Sequence, residues 1–192
     1  MATVCEVKKE IYVPSPEPGV ATSVSMTYIG QGLRREEIRM LVRSSDWGDT
    51  VRRRVSEDNG RTWSEWELIY EQAPTQGEFT QSGGPSQQGT GPFDPLSGRL
   101  IKPVFQRIVK GDPKVAMREI WSGNRLFCDH GFYQLSADDA HTWGEAHQLR
   151  YEDRPEFNPD NWGNPEYFRT NEMYIGEAAV LSNGTVVISA TV

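Results

Sequence analysis

Two carboxylates flank a tryptophan in Arg43-Ser44-Ser45-Asp46-Trp47-Gly48-Asp49. A carboxyl group beside an aromatic ring, raised in pKa by partial burial, can hold a proton near neutral pH and donate it to a leaving oxygen. Asp46 and Asp49 are both candidates for that role. The plainer reading is a solvated turn, because Asp and Gly are ordinary turn residues. His130, His141 and His147 lack metal-ligand spacing. There is no Gly-rich phosphate loop and no serine nucleophile elbow. No metal and no cofactor is therefore expected.

The elements that must position such residues read as strands. The 192 residues contain 18 Gly and 12 Pro, which favour turns over long helices. No convincing helical periodicity is present. β-rich runs recur at Glu6 to Val13, Ala21 to Ile29, Glu37 to Arg43, Thr50 to Val55, Glu65 to Tyr70, Leu100 to Ile108, Phe132 to Leu135, Met173 to Leu181 and Thr185 to Val192. Turn signals such as Asp58-Asn59-Gly60 and Ser182-Asn183-Gly184 separate them. The pattern predicts an all-β fold, a sandwich or a propeller.

A repeat favours the propeller. Ser56-Glu57-Asp58-Asn59-Gly60-Arg61-Thr62-Trp63 recurs 80 residues later as Ser136-Ala137-Asp138-Asp139-Ala140-His141-Thr142-Trp143. The shared pattern is S-x-D-x-(G/A)-x-T-W, between two strand-like runs each time. Asp can accept backbone N–H bonds across such a turn, Gly60 suits a positive φ, and Trp can bury its ring between sheets. Ala140 in the glycine position would cost about 1 kcal/mol if left-handed.

The two octets resemble the Asp-box of the sialidase (neuraminidase, BNR-repeat) superfamily. The resemblance implies a sialidase-like β-propeller, six-bladed in that family, of which residues 1–192 would form an N-terminal portion of about two and a half blades. With each octet as a C–D turn, strands A to D of the first blade fall on Ala21 to Ile29, Glu37 to Arg43, Thr50 to Val55 and Glu65 to Tyr70. Those of the second fall on Gly89 to Phe93, Leu100 to Ile108, His130 to Leu135 and His147 to Tyr151. Met173 to Leu181 and Thr185 to Val192 begin a third, and Glu6 to Val13 is assigned to completing a last blade. Three long segments, Glu71 to Gln88, Val109 to Asp129 and Glu152 to Glu172, gather on the face opposite the octets, where sites are usually built. Their aromatics, Phe79, Phe93, Trp121, Trp162, Tyr167 and Phe168, can stack on sugar rings or anchor loops.

The resemblance also implies site residues. The loop carrying Asp46 is similar to the one that holds the family's acid/base Asp, with Asp49 as competitor. Ile175-Gly176-Glu177-Ala178-Ala179 resembles the inner strand whose Glu polarises a tyrosine nucleophile. Asp46 and Glu177 are thus the catalytic candidates. Arg43 and Arg107, near the B-strand exits, are candidates for binding an acidic sugar. Asp58 and Asp138 are read as structural. The family's first-strand arginine has no counterpart in Ala21 to Ile29, nor its later one near Ser189-Ala190-Thr191, which favours a sugar other than sialic acid.

The expected function is an exo-glycosidase acting on a glycan. The alternatives are a non-catalytic binding propeller and a propeller-type polysaccharide lyase. The net charge of −7 argues against nucleic acid and against an anionic membrane. Arg52-Arg53-Arg54 alternate between faces of a strand and form no single patch. The absence of a signal-like N-terminus predicts a cytoplasmic protein, with Cys5 and Cys128 reduced. Self-association, or further C-terminal blades, is expected to cover the open sheet edges.

Overall fold

The computed structural model describes residue 8 and residues 12–43, 50–71, 75–82, 89–155, 157–158 and 160–192. Asp46, Asp49 and Cys5 lie outside them, as does most of Glu6 to Val13. The fold is mostly β, built from antiparallel strands. Sheet I is a meander of β1 (Ala21–Tyr28), β2 (Arg35–Val42), β3 (Thr50–Ser56) and β4 (Glu67–Tyr70) in chain order. These strands follow the four runs expected from sequence to within two residues.

Sheet II departs from expectation along one edge. Its centre is the pair β8 (Arg99–Lys110) and β9 (Phe127–Ser136), with the short β10 (His147–Gln148) outside β9. The expected A strand, Gly89 to Phe93, is only β7 (Phe93–Asp94), paired with the start of β8. The far end of the same β8 edge is taken by β6 (Phe79–Ser82), itself paired to β5 (Thr75–Gln76). Proline chemistry explains the break. Ile101 sends its N–H to Pro92 O on this edge, 3.0 Å away. Two residues on, the next donor toward that edge would come from Pro103, which has no N–H.

The Val109 to Asp129 segment is not wholly irregular. It holds α1 (Pro113–Ile120), where no helix was expected. Asp112 caps it by accepting the Lys114 N–H at 2.7 Å, and Pro113 opens it. Ala116 is its buried contact. Among the described residues, no helix is long and apolar enough to cross a membrane. A last hairpin, β11 (Tyr174–Val180) and β12 (Val186–Thr191), pairs with a bulge between Ile175 and Ala178.

The sheets stack face on face in chain order. Ile29 and Val55 of sheet I close a cluster with Leu100, Ala140, Phe93 and Trp143 of sheet II. The opposite face of sheet II meets β11, where Ile175 crowds Gly131 and Tyr174 lies 5.2 Å from Phe105. A second cluster, Phe79, Val104, Ile108, Phe132, Phe157 and Trp162, pins the 149–170 segment and β6 to sheet II. Tight turns share one edge of this stack. Asn59 N–H reaches Leu33 O, Arg34 contacts Asp139 O and His141, and Leu96 abuts Gly184.

Candidate functional site

The octets form the same bonded turn twice. Asp58 Oδ1 accepts from Ser56 Oγ at 2.9 Å and Thr62 N at 2.8 Å, and Oδ2 accepts from Thr62 Oγ1 at 2.7 Å. Asp138 repeats this with Ser136 at 2.7 Å and with Thr142 at 2.9 and 2.6 Å. Ser Oγ in turn accepts the N–H of Gly60 or Ala140. Hydrogen bonds from Thr62 hold Asp58 down to about 2, and those from Thr142 lower Asp138 further. Both carboxylates are fully engaged as acceptors, which makes them turn-builders rather than proton donors.

Glu177 stands elsewhere. It is exposed on β11, beside the bulge, and borders a cleft of about 400 Å³. The other walls come from Thr27 of β1, the Gly89–Pro92 segment leading into β7, and Tyr174 and Ile175. Residues of sheet I, of sheet II through Pro103 and the segment before β7, and of the hairpin thus border one cleft. Thr90 is fixed beside it by Glu36, whose Oε2 accepts from both Thr90 N and Oγ1, at 2.9 and 3.1 Å. Gly91 can be nothing larger, because a Cβ there would collide with the Ile101 carbonyl.

The two arginine candidates are separated from one another. Arg43 follows β2, pairs with Glu17 at 3.1 Å and donates to Thr50 Oγ1 at 3.2 Å. It lines a different cavity, of about 330 Å³, with Arg39, Arg52 and Glu71. Arg107 lies on the β11 side of sheet II, in a two-pronged pair with Asp129 at 2.7 and 2.8 Å. A substrate carboxylate would have to displace Asp129 from that guanidinium. Asp129 was missed from sequence, yet the signal was there: it precedes Ser136 by the same seven residues that separate Asp49 from Ser56.

Next to this pair Cys128, Asp129 and His130 of β9 are buried. The Cys128 thiol is free and pushed up to about 12, mainly by desolvation. His130 is 1% exposed, has no partner for either ring nitrogen, and lies 4.8 Å from the Phe157 ring. Burial lowers it to about 4. Among the described residues no group of three His, Cys, Asp or Glu is placed to hold a metal ion. Most of the loop aromatics prove to be anchors: Phe79 and Trp162 are core, and Tyr167 and Phe168 pack on it. Trp121, after α1, is the exception at 89% exposed.

Compared with known proteins, the chain matches no family model and no curated protein.

Proposed function

We propose that this chain is a sialidase-type Asp-box propeller portion that acts on glycans as an exo-glycosidase. What carries the reading is the cleft at Glu177. A lone carboxylate matters little, but here β1 of sheet I, the Gly89–Pro92 segment with Pro103 of sheet II, and β11 of the hairpin border one cavity around it. Cavities of this size suit a sugar ring. Support for the propeller comes from the two octets, identical in bonding and placed on consecutive sheets that stack in one direction. In this reading Asp46 is the general acid and Glu177 belongs to the nucleophile system. Arg107, bound to Asp129, and Arg43, on another cavity, favour a neutral sugar over a carboxylated one.

The test is turnover of a panel of aryl glycosides, neutral and acidic, by the wild type, Asp46→Asn and Glu177→Gln. Release of aryl alcohol that falls at least ~100-fold in each variant, with thermal unfolding unchanged, is the expected result. Glycan binding without turnover would instead give the non-catalytic propeller. An unsaturated, ultraviolet-absorbing product from a uronic-acid polymer would give the lyase.

A further inference from the structure

Glu36 is a carboxylate buried beside an apolar cluster that joins sheets I and II. It stands on β2 directly opposite Thr27 of β1, so the two side chains share one face of sheet I. It is 2% exposed. A carboxylate in that position is costly unless donors and charges meet it. Oε2 accepts both the N–H and the hydroxyl of Thr90, at 2.9 and 3.1 Å. Oε1 lies 3.7 Å from the Arg53 guanidinium. Lys102 of sheet II is also buried and within electrostatic reach: desolvation lowers its pKa, and the Glu36 charge acts to raise it.

What these bonds hold is the Gly89–Pro92 wall of the Glu177 cleft. Its Pro92 end is fixed on β8, where Pro92 O accepts the Ile101 N–H at 3.0 Å and Gly91 lies against the Ile101 carbonyl. Glu36 fixes the other end through Thr90, whose side chain alone among these four residues can hydrogen-bond. A hydroxyl carries a single proton. Thr90 gives it to Glu36, so toward the cleft its oxygen can only accept. The Glu177 carboxylate, on the same cleft, is an acceptor too. The hydroxyls of Thr27 and Tyr174 can take either role. Among the described residues that line the cleft there is no lysine or arginine.

We propose that Glu36 is a positioning residue for this cleft: through Thr90 it sets an acceptor in the wall, and the cleft thereby selects a neutral sugar, held by its hydroxyl donors, over a sugar carboxylate. Glu36 lies behind the wall and touches no ligand itself. A sugar carboxylate brings acceptors of its own and would meet Thr90 Oγ1 and Glu177 lone pair to lone pair, a mismatch that discriminates against it. The inference rests on the glycan reading of the cleft and adds the residue that sets its polarity.

Titration of the full chain with the methyl glycosides of glucose, galactose, mannose and glucuronic acid, followed by NMR, tests it. At least one neutral glycoside should bind, ~10-fold or more tighter than the glucuronide. Thr90→Val keeps the side-chain shape and removes the hydroxyl. It should weaken the neutral glycoside by ~10-fold or more, with Thr90→Ser restoring binding and both variants unfolding at the same temperature. Glu36→Ala should weaken binding as Thr90→Val does, and the two changes together should add nothing further, because both act through one contact. If Glu36→Ala does not fold, the Thr90 pair decides. Neutral binding unmoved by Thr90→Val overturns the role of Glu36 and leaves the glycan reading standing, as does tighter binding of the glucuronide. Failure of every glycoside to bind the wild type overturns the glycan reading and this inference with it.

Discussion

Arg35 and Leu100 occupy the same place in two consecutive sheets, each opposite the serine that opens an octet. Leu100 is 1% exposed and sits between sheets with Ile29 and Ala140. Arg35 instead lies over the Tyr28 ring, 3.9 Å from its centroid, and donates to Asn59. The turns beside them are the same to within a few tenths of an ångström in hydrogen-bond length. The octet thus encodes a local turn and leaves the face beside it free to be core or charged surface. The difference in that face, not in the turn, is what should separate the sheets energetically.

Leu100→Ala should accordingly cost on the order of 4 kcal/mol, because the cavity is walled by two sheets and cannot collapse. Arg35→Ala should cost about 1 kcal/mol or less, through one exposed stack. Urea denaturation of the two variants measures both. Equal losses would break the comparison and mean that the face of sheet I is covered in solution.

A titration sharpens the contrast at the other end of the strands. Sheet II has His130 where sheet I has Thr50. Burial lowers the folded-state pKa of His130 to about 4, from 6.5. Between those values the unfolded chain binds more protons, so stability rises with pH across the window. It is fully present above about pH 6.5 and lost as pH falls toward about 4, by up to about 3 kcal/mol. His130→Thr should flatten that slope whatever it does to absolute stability. A slope unchanged in the variant would assign the acid sensitivity to other groups.

How much of this was legible in the sequence depended on whether the signal was local. Every strand of sheet I was readable, because alternation and the octet sit within a few residues of each other. So was the left-handed position in the second octet, where Ala140 has φ 62°. The helix α1 was missed as a period, being only two turns, although Asp112-Pro113 is a cap and first-turn pair. The interrupted edge of sheet II was missed because the loss of a donor at Pro103 matters only on one edge of β8, and which edge it faces is set by the register of the pairing. Glu177 was picked out by the resemblance of Ile175-Gly176-Glu177-Ala178-Ala179 to a family strand, and the structure places it at the rim of a cleft. That Arg107 is held by Asp129 could not be read, since the pair forms across β8 and β9.

The smallest effect lies inside the octets themselves. Gly60 (φ 82°) and Ala140 (φ 62°) fill the same left-handed position with different residues. A Cβ on Gly60 would find ordinary contacts, 3.5 Å from the Trp63 ring and 3.9 Å from Arg35. Gly60→Ala should therefore cost only the backbone strain, about 1 kcal/mol. Ala140→Gly relieves the same strain, but it also removes a methyl buried against Ile29 and Leu100, at about 0.8 kcal/mol, and loosens the unfolded chain. The opposing terms should leave Ala140→Gly within about 0.5 kcal/mol of wild type by thermal unfolding. A loss above about 2 kcal/mol would show that the methyl is a keystone between the sheets. In that case the second octet differs from the first by its packing after all, and sequence drift alone would not account for its alanine.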